Sequence, residues 1–292
     1  MSEYMIFILG NPRSGTSLLR LMLTHHPEIC IPPECGFIQW WHSKYGEWSE
    51  RDSVNENKVE EFVTDLSTSR KIEDWELDYK NLKASILEQT PKSYAELCYL
   101  VVESYARQQD KDPKYLGDKN NYYLDHLPLI KSIYPKAKFI AIIRDGRDVA
   151  CSYKGIKKLD TNSPYKPKLP TEISAIAKEW MANIEKVDSF FEKLPDSQKF
   201  WVRYEDLITS SEEELTKICQ FLNLPYDAKM IQYYNTDIQQ QKEPSSTLDW
   251  KKKTLRKPDA SNAGNYLEEL SEKEVQRFGK IALKQLERFD YA

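Results

Sequence analysis

The apolar positions of this chain fall into two kinds of run. Short, nearly uninterrupted runs stand at Tyr4–Leu9, which ends on Gly10, at Lys138–Ile143 (Lys-Phe-Ile-Ala-Ile-Ile) and at Lys199–Tyr204. Runs of this length predict strands buried in a core. Elsewhere the apolar residues recur at helical spacing. Leu18, Leu19, Met22 and Leu23 predict a helix directly after the first strand and its loop. Val54–Arg107 predicts charge-rich helices broken at Pro91-Lys92-Ser93, with Ser93 and Glu96 at the spacing of a capping box. Further helices are predicted over Leu124–Tyr134, from about Asp148, over Glu172–Leu194 and Ser210–Asn223, and, strongly amphipathic, over Ser271–Phe289.

Prolines punctuate the pattern at Pro27, Pro32 and Pro33, and three more mark Leu159–Pro170 as a loop. Asp160–Pro170 and Gln239–Ser261 are the segments expected to move most. Phe37–Trp48 is dense in aromatics, including Trp40, Trp41 and Trp48, and reads equally as a packed flap or as the wall of a binding site. Strands alternating with helices predict an α/β fold: a three-layer, P-loop-like arrangement with a central parallel sheet flanked by helices and right-handed crossovers. With no internal repeat and no linker, residues 1–292 read as one domain.

Composition narrows the classes. A chain of 292 residues with 40% hydrophobic and 30% charged residues is expected to be globular rather than disordered. A net charge of −4 argues against general nucleic-acid binding, which needs a basic face. No apolar run approaches the ~20 residues of a membrane span, and the first residues lack the basic start and long apolar core of a secretion leader. A cytoplasmic protein without a membrane span is therefore expected; oligomeric state leaves no signal. The five cysteines form no CxxC pair and the adjacent His25-His26 lacks ligand spacing, so neither a disulfide framework nor a metal site is expected.

The candidate chemistry begins at Gly10, where the chain reads Gly-Asn-Pro-Arg-Ser-Gly-Thr-Ser. The spacing from Gly10 to Gly15 is that of a Walker A loop. Backbone N–H groups and the start of a helix form an anion site there, with Arg13 as a cation and Thr16 and Ser17 as hydroxyl donors. Thr16 stands where a nucleoside triphosphatase carries lysine, which weakens the case for phosphoryl transfer. A second anion site is expected at Arg144, where a buried strand ends. Ser152 lies about two helical turns further on and could share a phosphate with it. A third strand end carries Arg203-Tyr204-Glu205-Asp206.

These runs resemble the PAPS-dependent sulfotransferases, where PAPS is 3′-phosphoadenosine 5′-phosphosulfate. The stretch Pro12–Arg20 with His26-Pro27-Glu28 looks most like the branch containing tyrosylprotein sulfotransferases and bacterial relatives. The resemblance implies a sulfotransferase that moves a sulfuryl group from PAPS to an acceptor hydroxyl by in-line transfer, leaving PAP, without a metal. It implies that Arg13, Ser14, Gly15, Thr16 and Ser17 hold the 5′-phosphosulfate, that Arg144 and Ser152 hold the 3′-phosphate, and that Tyr204 lies near the nucleotide. In the basic run Lys251–Pro258, it points to Arg256 and Lys257 as further cofactor contacts. Glu34 falls at the position of the family's general base. Lys119, in Gly117-Asp118-Lys119-Asn120, is implied to stabilise the leaving oxygen, with Arg13 assisting. Asn121 stands where small-molecule sulfotransferases place a histidine, which favours Glu34. Residues 37–112 match nothing specific and are expected to form a helical insertion that shapes the site of a small-molecule, glycan or tyrosine acceptor. The alternatives are a P-loop nucleotide kinase and a non-catalytic PAP-binding protein.

Overall fold

The structure is a computed structural model and describes residues 5–235 and 243–292. Five parallel strands form one sheet in the order β2-β3-β1-β4-β5: β1 Met5–Leu9, β2 Ile29–Cys30, β3 Tyr115–Lys119, β4 Lys138–Ile143 and β5 Lys199–Arg203. Parallel strands need crossovers, and helices on both faces supply them. The side chains of β1 alternate accordingly. Ile6 and Ile8 join Ile140, Ile142 and Val202 against helix α1 (Thr16–Thr24), while Phe7 and Phe139 pack on the opposite face with the helices that follow. This is a three-layer α/β fold, as the alternation of strands and helices predicted.

Most predicted elements stand within a few residues of their expected bounds. The helices used below are α2 (Glu56–Ser67), α3 (Tyr79–Gln89), α4 (Tyr94–Gln108), α5 (Gly146–Lys158), α6 (Ile173–Phe191), α7 (Ser211–Leu222) and α8 (Glu272–Arg288). Ser93 caps α4 by accepting from the Glu96 N–H, but the Glu96 carboxylate reaches back to Lys92 N rather than to Ser93. Tyr4 of the first predicted strand and residues 239–242 of a segment expected to move lie outside the described residues.

Two strands escaped the pattern. β2 has only two residues. β3 reads Tyr-Leu-Gly-Asp-Lys, and its polar end hides that it is wholly buried, Asp118 and Lys119 included. The helix expected over Leu124–Tyr134 is divided into a 3-10 turn at Asn121–Asp125 and a helix at Leu127–Ile133, because Pro128 fits only the first turn of a helix. The aromatic run Phe37–Trp48 is packing. Phe37, Tyr45 and Trp48 are core residues among T-shaped rings, and Trp40 and Trp41 lie half-buried against them. The five cysteines are buried free thiols. Among the described residues no helix is long and apolar enough to cross a membrane, and no cluster of His, Cys, Asp and Glu suits a metal ion.

Candidate active site

Because every strand runs the same way, the loops after all of them emerge at one edge, and a cavity of about 850 Å³ opens there. Its wall takes residues from each strand end: Arg13, Gly15, Thr16 and Ser17 after β1, Glu34 after β2, Lys119 at the end of β3, Arg144 after β4 and Tyr204 after β5. Open α/β sheets place ligands at this edge, and the volume lies in the range of small-molecule sites.

The loop after β1 is shaped for close approach. Ser14 N–H donates to the Asn11 carbonyl at 3.1 Å, Arg13 has a φ of 71° and Gly15 a φ of 100°. Gly15 combines two demands: the left-handed backbone and contact with Tyr204, whose Cδ2 would stand 2.5 Å from an added Cβ. Gly15 is the N-cap of α1 and no side chain caps that helix, so its first N–H groups and positive dipole end are left for the cavity that Gly15, Thr16, Ser17 and Leu18 line. Asn11, unrecognised in the sequence, braces the loop: it donates to the Tyr153 hydroxyl at 3.0 Å and accepts from Asn183 at 2.8 Å.

Two arginines flank this helix end. Arg13 donates through Nε to Ser152 Oγ at 3.1 Å and through Nη2 to the Trp250 carbonyl at 2.7 Å. Burial, and then the neighbouring Arg144 charge, pull its guanidinium down to about 10, which leaves it a cation at neutral pH. Arg144 stacks on the Tyr204 ring at 4.6 Å, donates to the Asn262 carbonyl at 2.7 Å and approaches Asp148 at 3.6 Å. Its Nε is buried with no hydrogen-bond partner among the described residues, and so is Ser14 Oγ. Buried donors of this kind normally have partners, and an anion in the cavity would provide one for Arg144. Three expected contacts are placed differently. Ser152 serves Arg13 rather than Arg144 and is off the cavity wall; Ser14 is fully buried behind the loop; and the Arg256 side chain points to solvent, while its neighbour Lys257 lines the cavity.

At the ends of β2 and β3, on the side of the β1 loop away from Arg144, lies a lysine–glutamate cluster. Glu34 Oε2 accepts from Lys119 Nζ at 2.7 Å and Oε1 from Lys71 Nζ at 2.5 Å. Burial alone would raise the Glu34 carboxyl, but Lys119, Lys71 and more distantly Lys251 hold it far below the usual carboxylate range. Lys251 is itself buried, paired with Glu243 at 2.5 Å, and burial lowers its ammonium to about 8. Glu243 also receives Arg20 of α1 at 3.0 Å, which ties the C-terminal segment to the helix under the phosphate loop. Beneath Lys119, burial raises Asp118 to about 7, and the Tyr123 hydroxyl donates to its carboxylate.

Lys71 and Glu243 had no signal in the sequence, and Lys251 was legible only as the first residue of a basic run. One Lys-Lys-Lys run covers Lys251–Lys253, and only tertiary packing singles out Lys251 as buried. Of residues 37–112, only Arg70 and Lys71 reach the cavity wall.

A profile of the sulfotransferase family matches residues 6–228. The chain belongs to that family. It lies near the protein-tyrosine sulfotransferases, and by family it is a sulfotransferase enzyme. A putative protein-tyrosine sulfotransferase of Caenorhabditis briggsae is 27% identical over 80% of this chain and 70% of its own length. The matches to other curated relatives, protein-tyrosine sulfotransferases of Caenorhabditis elegans and Danio rerio, span 52% and 56% of those proteins. Among solved structures, the sulfotransferase domain of the curacin biosynthetic pathway has the same fold over 98% of this chain and 97% of that one, with a TM-score of 0.64 at 21% identity. A mouse sulfotransferase solved with PAP shares the fold at a TM-score of 0.54 and 13% identity, over 97% of this chain and 85% of that one.

Proposed function

We propose that this chain transfers the sulfuryl group of PAPS to an acceptor hydroxyl. The observation that carries this reading is that Glu34 and Lys119, at the ends of β2 and β3, share one cavity at one sheet edge with the loop after β1 and with Arg144 after β4. The uncapped start of α1 with Arg13, Gly15, Thr16 and Ser17 holds the 5′-phosphosulfate, and Arg144 with Lys257 holds the 3′-phosphate. Tyr204, pinned between Gly15 and Arg144, supports the nucleotide. The chemistry of the wall fits such a donor: hydroxyl and backbone donors at one end, a stacked guanidinium with a free Nε at the other. Ser152 acts through Arg13 by fixing its Nε.

In this reading Glu34 removes the acceptor's proton. The acceptor oxygen bonds to sulfur as the bond from sulfur to the bridging oxygen breaks, and PAP departs. Lys119 and Arg13 balance the charge that grows on the leaving oxygen, the kind of fixed electrostatic help that group transfer needs. No lysine follows Gly15, so the loop lacks the point charge that a P-loop kinase sets on its nucleotide. Residues 37–112 contribute Arg70 and Lys71 to the acceptor side. The curated relatives are named for protein tyrosine, so a tyrosine peptide is the first acceptor to test.

The test is transfer of labelled sulfate from PAPS to a tyrosine peptide, a simple sugar and p-nitrophenol. Transfer to one of them, with PAP as co-product, is expected. Equal affinity for adenosine nucleotides with and without a 3′-phosphate would refute the assignment of the donor.

A further inference from the structure

Both oxygens of the Glu34 carboxylate are engaged, and the two lysines that hold them are not equivalent. Lys119 closes β3 with a side chain 1% exposed, so the sheet fixes it. Lys71 is 11% exposed and sits on a turn between α2 and the 3-10 turn Ile72–Trp75. Its φ of 70° lies in the left-handed region, which residues with a Cβ adopt rarely. The turn is joined to the Glu34 loop by a buried bond: Trp75 Nε1 donates to the Pro33 carbonyl at 2.8 Å. The backbones that carry Lys71 and Glu34 are thus held together, and the strained turn directs the ammonium at the carboxylate.

A general base must reach the hydroxyl proton with an oxygen that is free to accept it. Lys119 keeps Oε2. Oε1 has a second lone pair for the acceptor hydroxyl, but the ammonium in contact with it opposes proton transfer until Lys71 loosens its hold. The Tyr165 ring centre is 5.7 Å from Lys71 Nζ, the Arg70 guanidinium already lies over the same ring at 5.0 Å, and the Tyr165 hydroxyl bonds to Glu73 on the same turn as Lys71.

We propose that Lys71 is a positioning residue of the transfer reaction: it holds Glu34 ionised with Oε2 turned to Lys119, then yields Oε1 to the acceptor hydroxyl. The proposal rests on reading Glu34 as the base. Other charges also bear on the carboxylate: Lys251, itself paired with Glu243, from the C-terminal segment, and Asp118 from β3. None of them touches Oε1 in place of Lys71.

The test is a pH titration of the Glu34 carboxyl by infrared difference spectroscopy on the full chain, its band identified as the one that Glu34→Gln abolishes. Removing one of two cations at contact distance shifts a carboxyl upward by about one unit or more. Lys71→Met is therefore expected to protonate at least about one pH unit above the parent, and Lys71→Arg to stay with the parent. A titration unmoved in Lys71→Met, or moved equally in Lys71→Arg, overturns the proposal; a merely structural role for Lys71 predicts the first of these. Labelled sulfate transfer by Glu34→Gln decides the underlying reading separately. Full transfer there removes Glu34 as base and with it the role of Lys71, whereas lost transfer with an unmoved Lys71→Met titration removes Lys71 alone.

Discussion

The Tyr204 ring lies so close to Gly15 that a Cβ there would stand 2.5 Å from Cδ2, at a residue whose φ is already 100°. Gly15→Ala must therefore move the ring, the loop or both. The left-handed backbone alone is expected to cost about 1–3 kcal/mol of stability, and displacement of Tyr204 should weaken PAP binding as well. Urea unfolding and calorimetric titration with PAP measure the two effects; unchanged values in both would mean the contact is not maintained in solution.

Glu34→Gln keeps the shape of the side chain and removes its capacity to take a proton. Turnover is expected to fall by about 10²–10⁴-fold, while PAP binding persists because Arg13 and Arg144 are untouched. Unchanged turnover would dismiss Glu34 as the base.

Arg144→Ala takes away the guanidinium that stacks on Tyr204 and carries a buried, unpartnered Nε. The loss should fall on ligands that carry a 3′-phosphate. A charge-assisted contact of this kind is worth about 1.5–3 kcal/mol, so PAP should lose roughly 10–150-fold in affinity while 5′-AMP changes little. Equal losses for both nucleotides would place Arg144 away from the 3′-phosphate.

Asp118 supplies a pH dependence with a definite sign. Burial raises its folded-state value to about 7, above the ordinary 3.8, against the opposing pull of the Tyr123 hydroxyl and Lys119. Between those values the folded chain binds more protons than the unfolded one, so this group makes stability fall as pH rises. From pH 5 to pH 8 the parent is expected to lose about 2–3 kcal/mol relative to Asp118→Asn, whose amide oxygen can still accept from Tyr123. Urea unfolding of both proteins at the two pH values checks this, and parallel profiles would count against a proton on Asp118.

Much of the site was legible because its residues follow apolar strands. Arg13, Arg144 and Tyr204 come directly after runs whose burial is plain in the sequence. Lys119 was legible only through the resemblance, since the strand it ends has an aspartate and a lysine as its last two residues and does not look buried. Lys71 depends on a left-handed turn between two helices, and Lys251 on an ion pair with Glu243; neither arises from local sequence. The aromatic run Phe37–Trp48 shows the converse: it has the composition of a binding wall, yet its rings meet one another in the core. The cytoplasmic expectation rested on absences, and neither the fold nor the relatives support it.

One consequence of the parallel sheet concerns its other edge. All the chemistry gathers where the strands end, so the edge where they begin is spared. The turn Asp196–Gln198 leads into β5 there, with the Asp196 side chain 99% exposed. A peptide tag or fluorophore inserted after Asp196 should leave sulfate transfer intact, which makes this edge the natural handle for immobilising or labelling the protein while its opposite edge works.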